Sequence, residues 1–284
     1  MARPSIDLQA KILSMLDHVG QMPAEAATPL AHYTIGANAA TNLRRYLVRQ
    51  MAKGKRSAVR ERHLHVLDNM MLAHLVQAFE RFIKDVAAVC VNRLCDQVAD
   101  DRFDKLSVKG GLFVAHFFRP GSSPGRALCE SDTWLSCRQI NDRFESFLGC
   151  QAGQKKAPPF HVFVPNSDEF RLMSIIWQLR HTLVHNVGVI TRSDAAKLRV
   201  LARKALPSPS MLEPTWNDVR FLRVYLDQRA RDINERVGKR LAVVLTSLHA
   251  VNPALFIPQM EADELSAEFA MPLVVAGMTG VVPR

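Results

Sequence analysis

Apolar residues recur every three or four positions along two long stretches of the chain. In residues 63–93 the stripe is Leu64, Leu67, Met71, Leu75, Phe79, Phe82, Val86 and Val89. In residues 216–248 it is Val219, Leu222, Leu226, Ala230, Ile233, Val237, Leu241, Val244 and Leu248. A 3.6-residue period puts each set on one face, so both stretches are predicted as long helices that bury that face. The same period, less regular, predicts helices over residues 6–19 and 37–51, and over 131–148 with Trp134, Leu135, Ile140, Phe144 and Phe147 inward. A further helix is expected to start after a cap at Asn166 or Ser167, with Asp168 and Glu169 in its first turn, where the helix dipole favours negative charge. Its inner face would carry Phe170, Met173, Ile176, Trp177 and Leu183, and it would end near His185. Segments 21–31, 120–125, 153–165 and 201–214 read as loops from their proline and glycine, and 108–118 as a short strand or an irregular turn of helix. The pattern predicts an all-α bundle of four or five major helices behind a helical N-terminal extension. Its expected units are residues 1–60, 61–250 and a C-terminal tail of 251–284.

Charge adds a partner class. The chain carries a formal net charge of +10, which favours polyanions such as RNA, DNA or an anionic membrane surface. The basic residues concentrate at Arg44, Arg45, Arg49, Lys53, Lys55, Arg56, Arg60 and Arg62, opposed only by Glu61. This stretch reads either as a contact surface for an RNA backbone or as a solvated helix face followed by a basic loop. The five cysteines, Cys90, Cys95, Cys129, Cys137 and Cys150, are odd in number and form no C-x-x-C pair. That argues against a disulfide framework and a structural zinc site, and for reduced thiols in a cytoplasm. Residues 1–10 lack the apolar core of a secretory signal. The apolar tail of 267–282 is broken by Pro272, Gly277 and Gly280, too short to span a bilayer. No membrane association is expected.

Candidate chemistry gathers at the end of the predicted helix, in Arg180-His181-Thr182-Leu183-Val184-His185-Asn186-Val187-Gly188. A guanidinium holds phosphate with parallel hydrogen bonds, and an imidazole moves protons near neutral pH. Arg180 and His185 stand five residues apart, about 140° round a straight helix that turns about 100° per residue. One helix therefore does not aim both at a point; either the arginine reaches round, or a second copy completes the site in a dimer. His181 and His185, four apart, could ligate a metal, although no acidic residue or third histidine stands at a compelling distance. His185 could also simply satisfy the helix end.

The segment from Arg180 to His185 resembles the R-x4-6-H signature of the HEPN superfamily, whose residue after the arginine is usually polar, as His181 is. Glu80-Arg81-Phe82-Ile83-Lys84 resembles the E-x3-K/R motif of many catalytic members, and the order of the two motifs agrees. The resemblance covers roughly residues 60–250 and implies a metal-independent endoribonuclease without cofactor, acting as a homodimer with a shared cleft. It implies that Arg180 holds the scissile phosphate and that His185 takes the 2′-hydroxyl proton or delivers one to the leaving 5′-oxygen. Glu80 would orient Arg180 or His181, and Lys84 would add positive charge; the residues alone equally allow an ordinary i,i+4 ion pair. Asn186 would position His185 or an RNA group, or cap the helix with Gly188. Such proteins often serve as toxins or antiviral effectors, which implies a neutralising partner or trigger. The alternative is a non-catalytic helical module that binds RNA or protein through the basic stretch.

Overall fold

The computed structural model describes residues 14, 28–51, 58–95, 98, 100–106, 124–130, 133–149 and 159–251. The helix expected over 6–19 apart from Ser14, the segment 108–118, Lys53, Lys55, Arg56, Cys150 and the tail after Val251 lie outside the described residues. The fold is all-α. Among the described residues seven helices run α1 (Pro29–Met51), α2 (Ala58–Leu94), α3 (Pro124–Glu130), α4 (Cys137–Leu148), α5 (Asp168–His185), α6 (Arg192–Ala202) and α7 (Trp216–Val251). A 3₁₀ turn at Asp100–Phe103 follows α2. Two short strands, β1 (Val189–Ile190) and β2 (Ser210–Met211), pair antiparallel with Val189 opposite Met211. Among the described residues no helix is long and apolar enough to cross a membrane.

The two stripes build the centre. Helices α2 and α7, of 37 and 36 residues, pack on each other. All nine stripe positions of α7 from Val219 to Leu248 are buried, as is the α2 stripe from Met71 onward. Leu64 and Leu67, at the start of α2, are only half-buried. Helices α1, α3 and α5 lean on α2, and α4 touches α2, α5 and α7. Phe79 of α2 meets Trp177 of α5 at 5.9 Å between ring centroids, which fixes the height of α5 on the core. Arg229 and Arg236 of α7 both reach Glu169 at 3.3 Å, holding the first turn of α5. The Arg240 guanidinium donates to the Leu148 carbonyl at 2.8 Å, closing the C-terminal end of α4.

Several boundaries differ from the expectation. The first loop ends early: the Thr28 hydroxyl accepts from Ala31 N at 3.0 Å, and Pro29, whose missing N–H is no loss in a first turn, opens α1. Tyr33 and Ala37 of α1 belong to the same buried cluster as α2 and α7, and the boundary expected after residue 60 falls inside α2. Pro124 and Gly125, expected in a loop, begin α3. A Cβ on Gly125 would lie 2.1 Å from the Ala88 carbonyl oxygen, so only glycine lets α3 sit this close to α2. Helix α4 starts six residues later than the expected 131, behind the Ser136 cap. Ser167, not Asn166, caps α5 and accepts from Phe170 N at 3.1 Å. Helix α6 and the strand pair were not anticipated.

Candidate active site

The C-terminal end of α5 is shaped by the residues that stop it. Asn186 N and Gly188 N both donate to the Thr182 carbonyl, at 3.1 and 3.0 Å. Val187 and Gly188 take left-handed backbone angles, φ 51° and 83°, and turn the chain into β1. Gly188 suits that conformation; Val187, β-branched and 80% exposed, is strained in it. Thr191 then caps α6 in a capping box: its hydroxyl accepts from Asp194 N at 3.2 Å, and its own N–H donates to Asp194 Oδ2 at 3.1 Å.

Asp194 bolts α6 to α5. Buried at 1% exposure, it accepts from Gln178 Nε2 at 2.8 Å and Asn186 Nδ2 at 2.7 Å. Burial would push its carboxyl up. The Thr191 hydroxyl and N–H, the Asn186 amide and the nearby His181 outweigh that, and the carboxyl sits below the usual carboxylate value. Asn186 thus both caps α5 and braces it through Asp194. Asp194 was not singled out from the sequence, although Thr191-x-x-Asp194 was there as a capping-box signal.

Arg180 and His185 meet within one chain. The Arg180 guanidinium reaches along the last turn until Nη1 stands 3.4 Å from His185 Nε2. Of the two ways the spacing left open, the structure shows the first: the arginine side chain spans the angle within one chain. Arginine only donates, so this contact is a hydrogen bond only while Nε2 keeps its lone pair. The His181 ring lies 4.8 Å from that of His185, centroid to centroid. Among the described residues no carboxylate pairs with Arg180 or His185, and Arg180 Nε is buried without a hydrogen-bond partner. Nor do three His, Cys, Asp or Glu side chains gather there as a metal ion would require.

Glu80 and Lys84 lie elsewhere in the bonding scheme. Lys84 Nζ stands 3.6 Å from Glu80 Oε1, and the same oxygen accepts from Trp134 N at 3.1 Å. Glu80, buried at 8% exposure, therefore anchors the segment leading into α4. Its bonds run to Trp134 and Lys84, not to Arg180 or His181.

The basic stretch divides. Arg44 forms a two-pronged pair with Asp68, at 2.7 and 3.1 Å, and lies 4.3 Å over the Trp216 ring. It is used inside the protein. Arg45, Arg49 and Arg62 are exposed, and Arg60 lies on α2 with its side chain outside the description. Arg45 lines a cleft between α1 and α7 with Arg220 and Arg223, two residues that sequence reasoning had passed over.

Burial pushes the thiols of Cys90 and Cys129 well up and that of Cys137 up to about 11, so these three offer no ready nucleophile. No protein-family model, curated protein or solved structure matches the chain.

Proposed function

We propose that the protein is a metal-independent endoribonuclease of HEPN type, with Arg180 and His185 as its catalytic pair. The observation that carries this reading is the 3.4 Å approach of Arg180 Nη1 to His185 Nε2, with no carboxylate among the described residues to neutralise either. A phosphodiester fits that arrangement. The guanidinium binds the non-bridging oxygens and stabilises charge that grows on them as phosphorus becomes five-coordinate. His185 Nε2, once the phosphate draws the guanidinium away, accepts the proton of the ribose 2′-hydroxyl. The 2′-oxygen bonds to phosphorus, the bond to the 5′-oxygen breaks, and that oxygen takes up a proton from water or from the now protonated His185. The products are a 2′,3′-cyclic phosphate, or its 3′-phosphate after hydrolysis, and a 5′-hydroxyl. DNA lacks the nucleophile and is not cut.

Because both groups converge within one chain, the homodimer rests on the family resemblance, as do a toxin or antiviral role and a neutralising partner. Sedimentation of the purified chain reads the first. The chemistry is tested by incubating labelled RNA with protein in EDTA, beside Arg180→Ala and His185→Ala. Cleavage with cyclic-phosphate ends, lost in both variants, is the expected result. Cleavage that EDTA abolishes would return His181 and His185 to a metal role. RNA binding without cleavage under any condition would favour the non-catalytic module.

A further inference from the structure

A cleft of about 400 Å³ lies between α4, α5 and α6. Phe170, Ser174, Trp177, Gln178 and His181 line it from α5. On a helix Phe170, Ser174, the adjacent Trp177 and Gln178, and His181 share one face, and His185, four residues beyond His181, continues it. The cleft therefore leads along α5 to the imidazole that the proposed reaction uses.

Its walls differ in character. Phe170 and Trp177 supply aromatic surface. Arg138, in the first turn of α4, and Lys197, on α6, line it as exposed cations with no carboxylate partner among the described residues. Lys197 is three residues beyond Asp194, so the buried bonds from Asp194 to Gln178 and Asn186 also set where Lys197 stands relative to α5. Cys137, with its thiol held neutral by burial, is an inert part of the wall. Cations beside aromatic faces, at the volume of a small-ligand site, match a nucleotide: phosphate on the cations, base on the rings.

We propose that this cleft is the subsite for an RNA nucleotide flanking the scissile phosphate, with Arg138 and Lys197 holding its phosphate and Phe170 stacking its base. This rests on the ribonuclease reading for its placement beside the cut. The two ideas fail separately, because binding and cleavage are read independently.

The experiment measures binding of a fluorescein-labelled, mixed-sequence RNA oligonucleotide to full-length protein carrying His185→Ala, across a salt series. Into it go Arg138→Ala with Lys197→Ala or, as a charge-matched control, Arg199→Ala with Arg231→Ala, both exposed and outside the cleft. The cleft pair is expected to weaken binding at least about tenfold more than the control. It should flatten the slope of log K against log salt by about 0.7, the share of one single-strand phosphate. Lys197→Arg should restore binding where Lys197→Ala has lost it. Phe170→Leu, which keeps the apolar volume, should weaken binding about fivefold or more through lost stacking, with the salt slope unchanged. Equal losses from the cleft pair and the control overturn the subsite, even if the wild type cleaves RNA. Selective loss in the cleft pair sustains the binding site even if the wild type cleaves nothing, in which case the ribonuclease reading fails alone.

Discussion

Arg81, Arg126 and His32 gather around the buried carboxylate of Asp85, whereas Arg180, His181 and His185 gather at the end of α5, where no carboxylate among the described residues pairs with Arg180 or His185. The side-chain types are the same, and the surroundings are opposite. Asp85 is fully buried and meets His32 Nδ1 at 2.9 Å, Arg81 Nε at 3.0 Å and Arg126 Nη2 at 3.0 Å. Glu130 adds a second carboxylate that pairs with Arg81 and, at 3.0 Å, with Arg126. Each cation there is answered, and the network ties α1 and α3 to α2. At the end of α5 the cationic capacity is left for something outside the chain to answer. Charge that is matched inside holds a fold together; charge left unmatched beside a cleft is available for a ligand.

The largest effects should separate the two clusters by what they damage. His185→Ala and Arg180→Ala are expected to lower kcat/KM for RNA cleavage by roughly 10²–10⁴, the range of a lost proton-transfer group or charge stabiliser. Their thermal midpoints should stay close to wild type, because neither side chain pairs with a buried charge. Asp85→Ala should do the reverse. It leaves the two arginines in and near the interior only the half-exposed Glu130, and His32 no carboxylate, at a cost of about 3 kcal/mol or more. At about 2–4 °C per kcal/mol that lowers the melting midpoint by roughly 10 °C. The surviving folded protein should cleave RNA normally in an assay run well below its midpoint. Loss of activity without loss of stability in Asp85→Ala would remove the distinction between the clusters.

A middle case joins structure to site. Asp194→Asn keeps the shape but removes the charge that Thr191, Gln178 and Asn186 converge on, and should destabilise by about 1–3 kcal/mol at pH 7. Since the folded carboxyl titrates below its usual value, its stabilisation is complete above the ordinary unfolded value of about 3.9 and fades as pH falls through the folded value. Urea denaturation should therefore show a clear gap between wild type and variant at pH 7 that narrows toward pH 3. A gap that widened in acid would reverse the assignment. Glu80→Gln should matter less. It can still accept from Trp134 N and loses only the 3.6 Å pair with Lys84, so cleavage should change less than about threefold, with a stability loss of about 1 kcal/mol or less.

What the sequence could disclose follows from the range of the interactions. The α2 and α7 stripes were legible because helical period is local and both faces pack on one core. Arg180 and His185 were legible as residue types on one helix end. Their convergence was legible only as one of two alternatives, because a residue-to-residue angle does not decide between the reach of an arginine and a second copy of the helix. Helix α6 was missed although Thr191 and Asp194 signalled its start, since its 11 residues carry only one long apolar side chain that ends up buried, Leu198. Of the Asp85 network only the i,i+4 pairs Arg81–Asp85 and Arg126–Glu130 are local; His32 stands 53 residues before Asp85 and Arg126 41 after it, and nothing in the sequence brings those distant partners together. Arg44 misled for the same reason, because Asp68 and Trp216, which occupy it, are distant in the chain.

The smallest expected effect tests how firmly the end of α5 is held. Val187 sits at φ 51°, a conformation that costs a β-branched residue about 1–2 kcal/mol and asparagine less. The residue is exposed, so Val187→Asn removes little packing and should stabilise the protein by about 0.5–1 kcal/mol. Cleavage should stay within about twofold, because the Thr182, Gly188 and Asp194 bonds continue to set the helix end. A stabilised variant with sharply reduced cleavage would mean that the strained turn itself tunes the distance between Arg180 and His185, and that the site owes its geometry to the turn more than to the bracing by Asp194.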